Sequence, residues 1–127
     1  MLKVKDIMGA DLIYKEAQDL LSDVIDVMVR NNVSSVTIMR NGIPVGIITE
    51  RDVVRKLKNE GVFDLNRTAE SLMSAPIRYI EKDASCIAAA NKMSEYAVKR
   101  LVVEDRGEIV GVITQTDIVR NLSKLLG

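Results

Sequence analysis

The sequence predicts an α/β fold (α+β) built from two tandem β-α-β-β-α repeats. One observation behind this prediction is an internal repeat, since residues 46–55, GIITERDVVR, return as residues 111–120, GVITQTDIVR. Placing residue 7 over residue 72 keeps the register without a gap as far as residue 57 over residue 122, and we call the superimposed positions equivalent. The other is that strand-like and helix-like apolar spacings alternate within each copy. We therefore expect α/β layers around a shared core.

The repeat also predicts the domain organisation. Residues 1–60 are expected to form repeat one, residues 61–68 a linker and residues 69–127 repeat two. Because 127 residues is the length of one ordinary domain, we expect the two repeats to pack together as one compact module.

Each repeat is predicted to begin with the same elements in the same order. A short segment ending in Met8 or Met73 leads into an extended piece, LIYKE or IRYIE. A helix follows over about residues 19–32 and 84–97, where apolar residues recur at three- and four-residue spacing.

The second half of each repeat is predicted as a hairpin followed by a helix. Asn41-Gly42 indicates a two-residue turn because both positions favour positive φ, and residues 105–107 are expected to turn with one more residue. The return strands PVGIIT and IVGVIT lead into helices over about residues 50–60 and 115–126.

Composition and charge make several classes of protein unexpected. The chain has no histidine and one cysteine, Cys86, which disfavours zinc sites, histidine acid–base catalysis and a disulfide framework, and suits a reducing compartment. Eighteen basic and 18 acidic residues with only 3% aromatic residues disfavour a nucleic-acid binder. No apolar run approaches the roughly 20 residues of a membrane span. We therefore expect a cytoplasmic protein with no metal site, in which catalysis is disfavoured although an enzyme can work with Asp, Glu and Lys alone.

The motif T-x-x-D occurs at the end of each return strand, as Thr49 with Asp52 and as Thr114 with Asp117. A structural interpretation is sufficient for either copy alone, because threonine is a good N-cap and an acid three residues later opposes the helix dipole. A functional interpretation uses the same geometry. The amide groups of a helix N-terminus can receive a phosphate, and an ionised aspartate can accept both hydroxyls of a ribose.

A glycine precedes each motif by three residues, at Gly46 and Gly111. We expect these glycines to leave space for a ligand to approach the backbone.

Residues 7–122 resemble a tandem pair of cystathionine-β-synthase (CBS) domains, the Bateman module. The segments that carry the resemblance are NGIPVGIITERDVV and DRGEIVGVITQTDIV, each preceded by a methionine, a strand and a helix. The resemblance implies a pseudo-two-fold pair with two clefts for adenosyl ligands. It implies a non-catalytic regulatory module that requires no cofactor and binds AMP, ADP or ATP as a regulatory ligand, with S-adenosylmethionine or an NAD-type dinucleotide as alternatives. Because the sequence shows no further domain, a separate partner protein is expected as the regulated target.

The resemblance also implies roles for individual residues. Asp52 and Asp117 would hold the ribose, with Thr49 and Thr114 near the phosphates. The base would lie between the first strand and the strand before the hairpin. In one repeat these residues are Leu12, Ile13, Tyr14, Val33, Ser34 and Ser35; in the other they are Ile77, Arg78, Tyr79, Val98, Lys99 and Arg100.

The two sites are not expected to be equal. Ser34 and Ser35 are uncharged, and Asp11 would repel a phosphate, whereas repeat two places basic residues near its motif, namely Arg78, Lys99 and Arg100. We therefore predict that the site centred on Asp117 binds more tightly. The alternative is that Lys99 and Arg100 are only a solvent-exposed pair before a strand, with no ligand contact.

The first helix of each repeat is apolar over a wide arc, in LLSDVIDVMV and SCIAAANKM. A surface helix needs only one apolar stripe, so this pattern indicates a homodimer formed through the repeat helices. The alternative is a simple alanine-rich helix. Other functions kept open are an enzyme using carboxylates, a nucleic-acid-binding accessory protein, and a scaffold with empty clefts.

Overall fold

The computed structural model describes residues 1–9 and 13–126, and the chain divides into two compact units. The first-repeat unit is Ile13–Ile77, and the second-repeat unit combines Met1–Leu12 with Arg78–Gly127. The opening segment of each sequence repeat therefore belongs to the unit formed mainly by the other repeat. We call residues 1–9 and 69–77 the leading segments. The repeat bounds 1–60, 61–68 and 69–127 describe the sequence repeat and stay a prediction.

The predicted order β-α-β-β-α is confirmed in both repeats. The helices and strands, in chain order, are α1 (Val4–Ile7), β1 (Tyr14–Glu16), α2 (Leu21–Asn31), β2 (Ser35–Arg40), β3 (Ile43–Thr49), α3 (Glu50–Glu60), a 3-10 turn (Ala69–Ser71), β4 (Tyr79–Glu81), α4 (Cys86–Glu95), β5 (Arg100–Asp105), β6 (Glu108–Thr114), α5 (Gln115–Arg120) and α6 (Leu122–Leu126). The last predicted helix is divided in two because it is interrupted at Asn121.

Each unit contains a three-stranded sheet, in the order β1-β2-β3 or β4-β5-β6. The first strand pairs parallel with the second, and the second pairs antiparallel with the third. As a result, the beginnings of the first two strands and the end of the third lie at one edge of the sheet. This edge is where each T-x-x-D motif lies.

Both hairpins turn through two residues with positive φ. The φ values are 53° and 77° at Asn41-Gly42, and 53° and 85° at Arg106-Gly107. The predicted longer turn over residues 105–107 is wrong, because Asp105 still pairs with Glu108 as the last residue of β5. Arg106 therefore adopts the left-handed conformation that Asn41 adopts at the equivalent position of the first hairpin.

The leading segments are held by backbone hydrogen bonds to the return strands. The Gly9 amide donates to the Val112 carbonyl at 3.0 Å, and the Val112 amide donates back at 3.1 Å. The equivalent residues Ile47 and Ser74 exchange hydrogen bonds of 3.0 and 2.8 Å. Each leading segment is therefore fixed in register against its unit.

The expectation that Gly46 and Gly111 leave space for a ligand is wrong. A Cβ atom at Gly46 would lie 2.4 Å from the sulfur of Met73, and one at Gly111 would lie 2.3 Å from the carbonyl oxygen of Gly9. The leading segments occupy the space that the missing side chains leave. These glycines are required for packing within the chain.

The leading segments also carry opposite charges, each matched to its own unit. Glu70 pairs with Arg40. At the equivalent position Lys5 lies 3.0 Å from Asp83, whose hydrogen bond raises the pKa of Lys5, and Asp105, equivalent to Arg40, raises it further. The hydrogen bond from Lys5 in turn lowers the pKa of Asp83. Each such exposed pair contributes little stability. The signs of the charges are exchanged between the two units, however, so each leading segment is complementary in charge to its own unit.

Each unit has its own aliphatic core between its sheet and helices. In the first-repeat unit the most buried members are Leu21, Val24, Val36, Ile38 and Ile48. In the second-repeat unit they are Val4, Ala89, Leu101, Val103 and Ile113, together with Cys86 at 1% exposure. Burial raises the pKa of the Cys86 thiol, so this residue serves as a small apolar member of the core.

Candidate functional site

The two Thr–Asp motifs form capping boxes at the N-termini of α3 and α5, and we call them the first and second corner. In the first, the Thr49 amide donates to Asp52 Oδ2 at 2.9 Å and the Asp52 amide donates to Thr49 Oγ1 at 3.2 Å. The corresponding distances for Thr114 and Asp117 are 2.9 and 3.1 Å. The structural interpretation of the motif is therefore confirmed at both corners.

Other residues predicted for the first site lie at the same sheet edge as its corner. Ile13 immediately precedes β1, and Ser35 begins β2 directly opposite Thr49. The carbonyl of Ser34 accepts from the Glu50 amide at 3.0 Å, which ties this residue to the first turn of α3. These positions bring backbone groups and small hydroxyl side chains to the corner.

The second corner has the same backbone arrangement. Arg78 immediately precedes β4, and Arg100 begins β5 directly opposite Thr114. The carbonyl of Lys99 accepts from the Gln115 amide at 2.9 Å, as Ser34 does from Glu50. The difference from the first corner is therefore in side-chain charge.

Arg78 makes a contact that the sequence did not indicate. Its guanidinium carbon lies 4.1 Å from the ring centroid of Tyr96, a distance typical of a cation–π contact. Tyr96 follows α4 directly, so the contact holds this arginine beside the segment that leads from α4 into β5. Nothing in the repeat pattern points to Tyr96, because the equivalent residue is Asn31 and no local spacing links it to Arg78.

The two predicted tyrosines differ in their surroundings. Tyr14 is 52% exposed, whereas Tyr79 is partly buried. Burial, followed by the charge of Glu104, raises the pKa of Tyr79. The Tyr79 carbonyl accepts a hydrogen bond from the Lys92 ammonium group. This hydrogen bond links the backbone at the start of β4 to helix α4.

The acceptor oxygens of the two aspartates are used differently. Asp52 Oδ2 also accepts from the Thr49 hydroxyl at 3.0 Å, and Asp52 Oδ1 accepts from the Ser74 hydroxyl at 3.3 Å. Within residues 1–9 and 13–126, the Asp117 carboxylate accepts only from the Thr114 amide. Ser74 was not predicted as a site residue. The repeat register aligns it with Gly9, so the sequence does show that the two corners differ at this position.

The remaining predicted residues divide into two groups. The side chains of Ile13, Val33 and Val98 are partly buried against the cores of their units. Ile77 belongs to the first-repeat unit, unlike the other residues of its predicted set, and its role stays a prediction. Leu12 and Asp11 lie outside the described residues.

The described part of the chain offers neither a metal site nor a membrane-spanning helix. No group of three or more His, Cys, Asp or Glu side chains is placed there to hold a metal ion. None of the helices in residues 1–9 and 13–126 has the length and apolar character needed to cross a bilayer.

A family model, that of the CBS domain, matches the chain twice, over residues 4–59 and 69–124. Both matches include a corner and the strands and helices around it. Together they span most of the sequence.

Individual relatives agree with this match. An uncharacterized protein of Methanocaldococcus jannaschii is 36% identical over 98% of this chain and 64% of its own length. Hypoxic response protein 1 of Mycobacterium tuberculosis is 28% identical over 96% of this chain and 86% of its own length. The chain spans 62% of the length of a further relative, from Methanopyrus kandleri.

Solved structures share the fold. A CBS-domain pair in complex with 5′-methylthioadenosine and S-adenosyl-L-methionine has a TM-score of 0.82 and 25% identity, covering 98% of each chain. Hypoxic Response Protein I with two coordinated zinc ions has a TM-score of 0.78 and 28% identity, covering 94% of this chain and 98% of that one. Because the present sequence has no histidine, it lacks a common kind of zinc ligand.

Proposed function

The chain belongs to the CBS-domain family, whose stand-alone pairs are non-catalytic regulatory modules, and we propose that it binds an adenine nucleotide and signals to a separate partner protein. The ligand would be AMP, ADP or ATP, bound at the Thr–Asp corners. The observation that carries this proposal is the second corner. A carboxylate with unused acceptor capacity among the described residues lies at one sheet edge with three basic residues, Arg78, Lys99 and Arg100.

Each part of a nucleotide has a matching group at this corner. The ribose hydroxyls would donate to Asp117, since an ionised carboxylate is an acceptor with two oxygens. The phosphate would be held by charge-assisted hydrogen bonds from the basic residues and by the Thr114 hydroxyl. The base would lie against the backbone at the starts of β4 and β5, where the valine before Lys99 is anchored in the core.

The basic side chains favour a nucleotide over S-adenosylmethionine. One related structure holds S-adenosylmethionine and 5′-methylthioadenosine, so the fold accommodates adenosyl groups without phosphate. S-adenosylmethionine carries a positive sulfonium where AMP carries a negative phosphate. Arg78 and Lys99 would repel the former and attract the latter.

A panel of ligands tests the proposal by thermal unfolding. We expect stabilisation by AMP, ADP or ATP, of roughly 2.7 kcal/mol at a hundredfold excess over the dissociation constant. S-adenosylmethionine and NAD are expected to stabilise less, and short RNA not at all. If none of the adenosyl compounds shifts the transition, the protein is instead a scaffold.

We further propose that the chain forms a homodimer through helices α2 and α4. Val29 on α2 and Ile87 on α4 are apolar yet 75% and 59% exposed, and burying them against a second copy would remove this surface from water. Light scattering at micromolar concentration is expected to give the mass of a dimer. A monomeric mass, with the Ile87→Ser variant as a reference for a disrupted interface, would contradict this.

A further inference from the structure

We propose that Ser74 is a specificity-determining residue that makes the first corner the weaker nucleotide site. Its hydroxyl occupies Oδ1 of Asp52 and competes with the ribose for that oxygen. This inference rests on the proposed function, because it concerns the same carboxylates. It adds a reason, within the chain, why two nearly identical corners bind unequally.

The Asp52 carboxylate is largely occupied by the protein itself. It accepts from the Thr49 amide at 2.9 Å, from the Thr49 hydroxyl at 3.0 Å and from the Ser74 hydroxyl at 3.3 Å. A ribose diol needs two acceptor positions and must therefore displace at least one of these donors. The Asp117 carboxylate, by contrast, accepts one such hydrogen bond from the described residues.

Ser74 is held where its hydroxyl can compete. Its amide donates to the Ile47 carbonyl at 2.8 Å, and its carbonyl accepts from the Ile47 amide at 3.0 Å. The preceding residue, Met73, packs against the core of the same unit. These contacts fix the backbone of Ser74. The position of its hydroxyl therefore depends only on the χ1 angle, and the hydroxyl stays within reach of Asp52.

The second corner lacks this competitor because the equivalent residue is Gly9. Its backbone makes the same pair of hydrogen bonds, with Val112 at 3.0 and 3.1 Å. Within residues 1–9 and 13–126, a Cβ atom added to Gly9 would meet the Val112 carbonyl oxygen, at an ordinary 3.7 Å. A serine therefore fits at this position, and the competing hydroxyl can be transplanted.

The expected effect is modest because the Ser74 hydrogen bond is long. A hydrogen bond to a charged group that must be displaced corresponds to about a three- to tenfold change in dissociation constant at this distance. The Ser74→Ala variant is therefore expected to tighten AMP binding at the first corner by about this factor. The Gly9→Ser variant is expected to weaken AMP binding at the second corner by a similar factor.

Calorimetric titration with AMP tests both variants on the full chain, one corner at a time. Ser74→Ala is measured in an Asp117→Ala background and Gly9→Ser in an Asp52→Ala background. Ser71→Ala is the matched control, since the Ser71 hydroxyl donates to the Thr68 carbonyl at 2.6 Å and has no hydrogen bond to Asp52. Repeating the titration with 2′,3′-dideoxy-AMP is expected to remove the gain from Ser74→Ala, because that ligand has no hydroxyls to compete.

The outcomes separate this inference from the proposed function. Tighter binding in Ser74→Ala that depends on the ribose hydroxyls supports the inference, as does weaker binding in Gly9→Ser with an unchanged unfolding transition. Unchanged or weaker AMP binding in Ser74→Ala overturns it, and weaker binding identifies Ser74 as a ligand contact instead. If the wild-type chain binds no adenine nucleotide at all, the proposed function fails and this inference fails with it.

Discussion

Replacing Asp117 by alanine is expected to weaken AMP binding by about 30- to 100-fold, and replacing Asp52 to weaken it far less. The larger effect follows from two observations on the second corner. Asp117 accepts one hydrogen bond from the described residues and so has acceptor capacity left for a ribose. Its neighbours at the sheet edge include Lys99, which contributes a positive charge where the first corner has Ser34.

The two variants control for each other. Both remove a capping-box acid, and each is expected to lose about 1 kcal/mol of stability. A difference in AMP affinity between them therefore reports on ligand contacts and not on unfolding. Calorimetry at a temperature well below both transitions makes the comparison, and equal losses or a larger loss in Asp52→Ala would contradict the ranking.

Replacing Gly111 by alanine is expected to destabilise the protein by about 3 kcal/mol. The new Cβ atom would lie 2.3 Å from the Gly9 carbonyl oxygen and 3.1 Å from the Met8 sulfur. The sulfur can move aside, but the carbonyl oxygen belongs to a backbone that two hydrogen bonds hold against Val112. Relief therefore requires the leading segment to separate from β6.

Two other glycine variants provide the scale for this measurement. Gly46→Ala places its Cβ against the Met73 side chain, with 2.4 Å to the sulfur and 2.9 Å to Met73 Cβ, so a smaller loss than in Gly111→Ala is expected. In Gly9→Ala the contact of the new Cβ with the described residues is an ordinary one, so this variant is expected to be tolerated. Urea unfolding measures all three, and a Gly111→Ala change within about 0.5 kcal/mol of wild type would contradict this packing.

The elements and the corners were predictable because local physics determines them. Asn41-Gly42 adopts positive φ in any tight hairpin, and Thr49 with Asp52 caps a helix through groups three residues apart. These signals need no knowledge of distant residues. The repeat register then extended each conclusion from one copy to the other.

The repeat register gave a wrong prediction for the last helix, because the two copies differ there. Position 121 is Asn where the equivalent position 56 is Lys. The Asn121 side chain donates to the Asp117 carbonyl at 2.7 Å, and the helix is interrupted there, whereas Lys56 continues its helix and pairs with Glu60 at 2.7 Å. Asparagine competes for backbone hydrogen bonds in this way, so one substitution divides the last helix.

The exchange of leading segments could not be predicted from the sequence. It depends on contacts between residues far apart in the chain, such as Gly9 with Val112 and Ile47 with Ser74. Neither pair is marked by a spacing of residues in the sequence that would indicate the contact. The role of the two glycines was misassigned for the same reason, since Met73 fills the space beside Gly46 only after the segments are in place. Ser74 and its contact with Asp52 follow from this packing as well.

Calorimetric titration of AMP into the full chain, repeated on Asp117→Ala, tests the central claim most directly. The claim is that the second corner is an adenine-nucleotide site. It predicts saturable binding to the wild-type chain, with the tighter component lost in the variant. Absence of binding by AMP, ADP and ATP, or a tighter component that persists in Asp117→Ala, would contradict it.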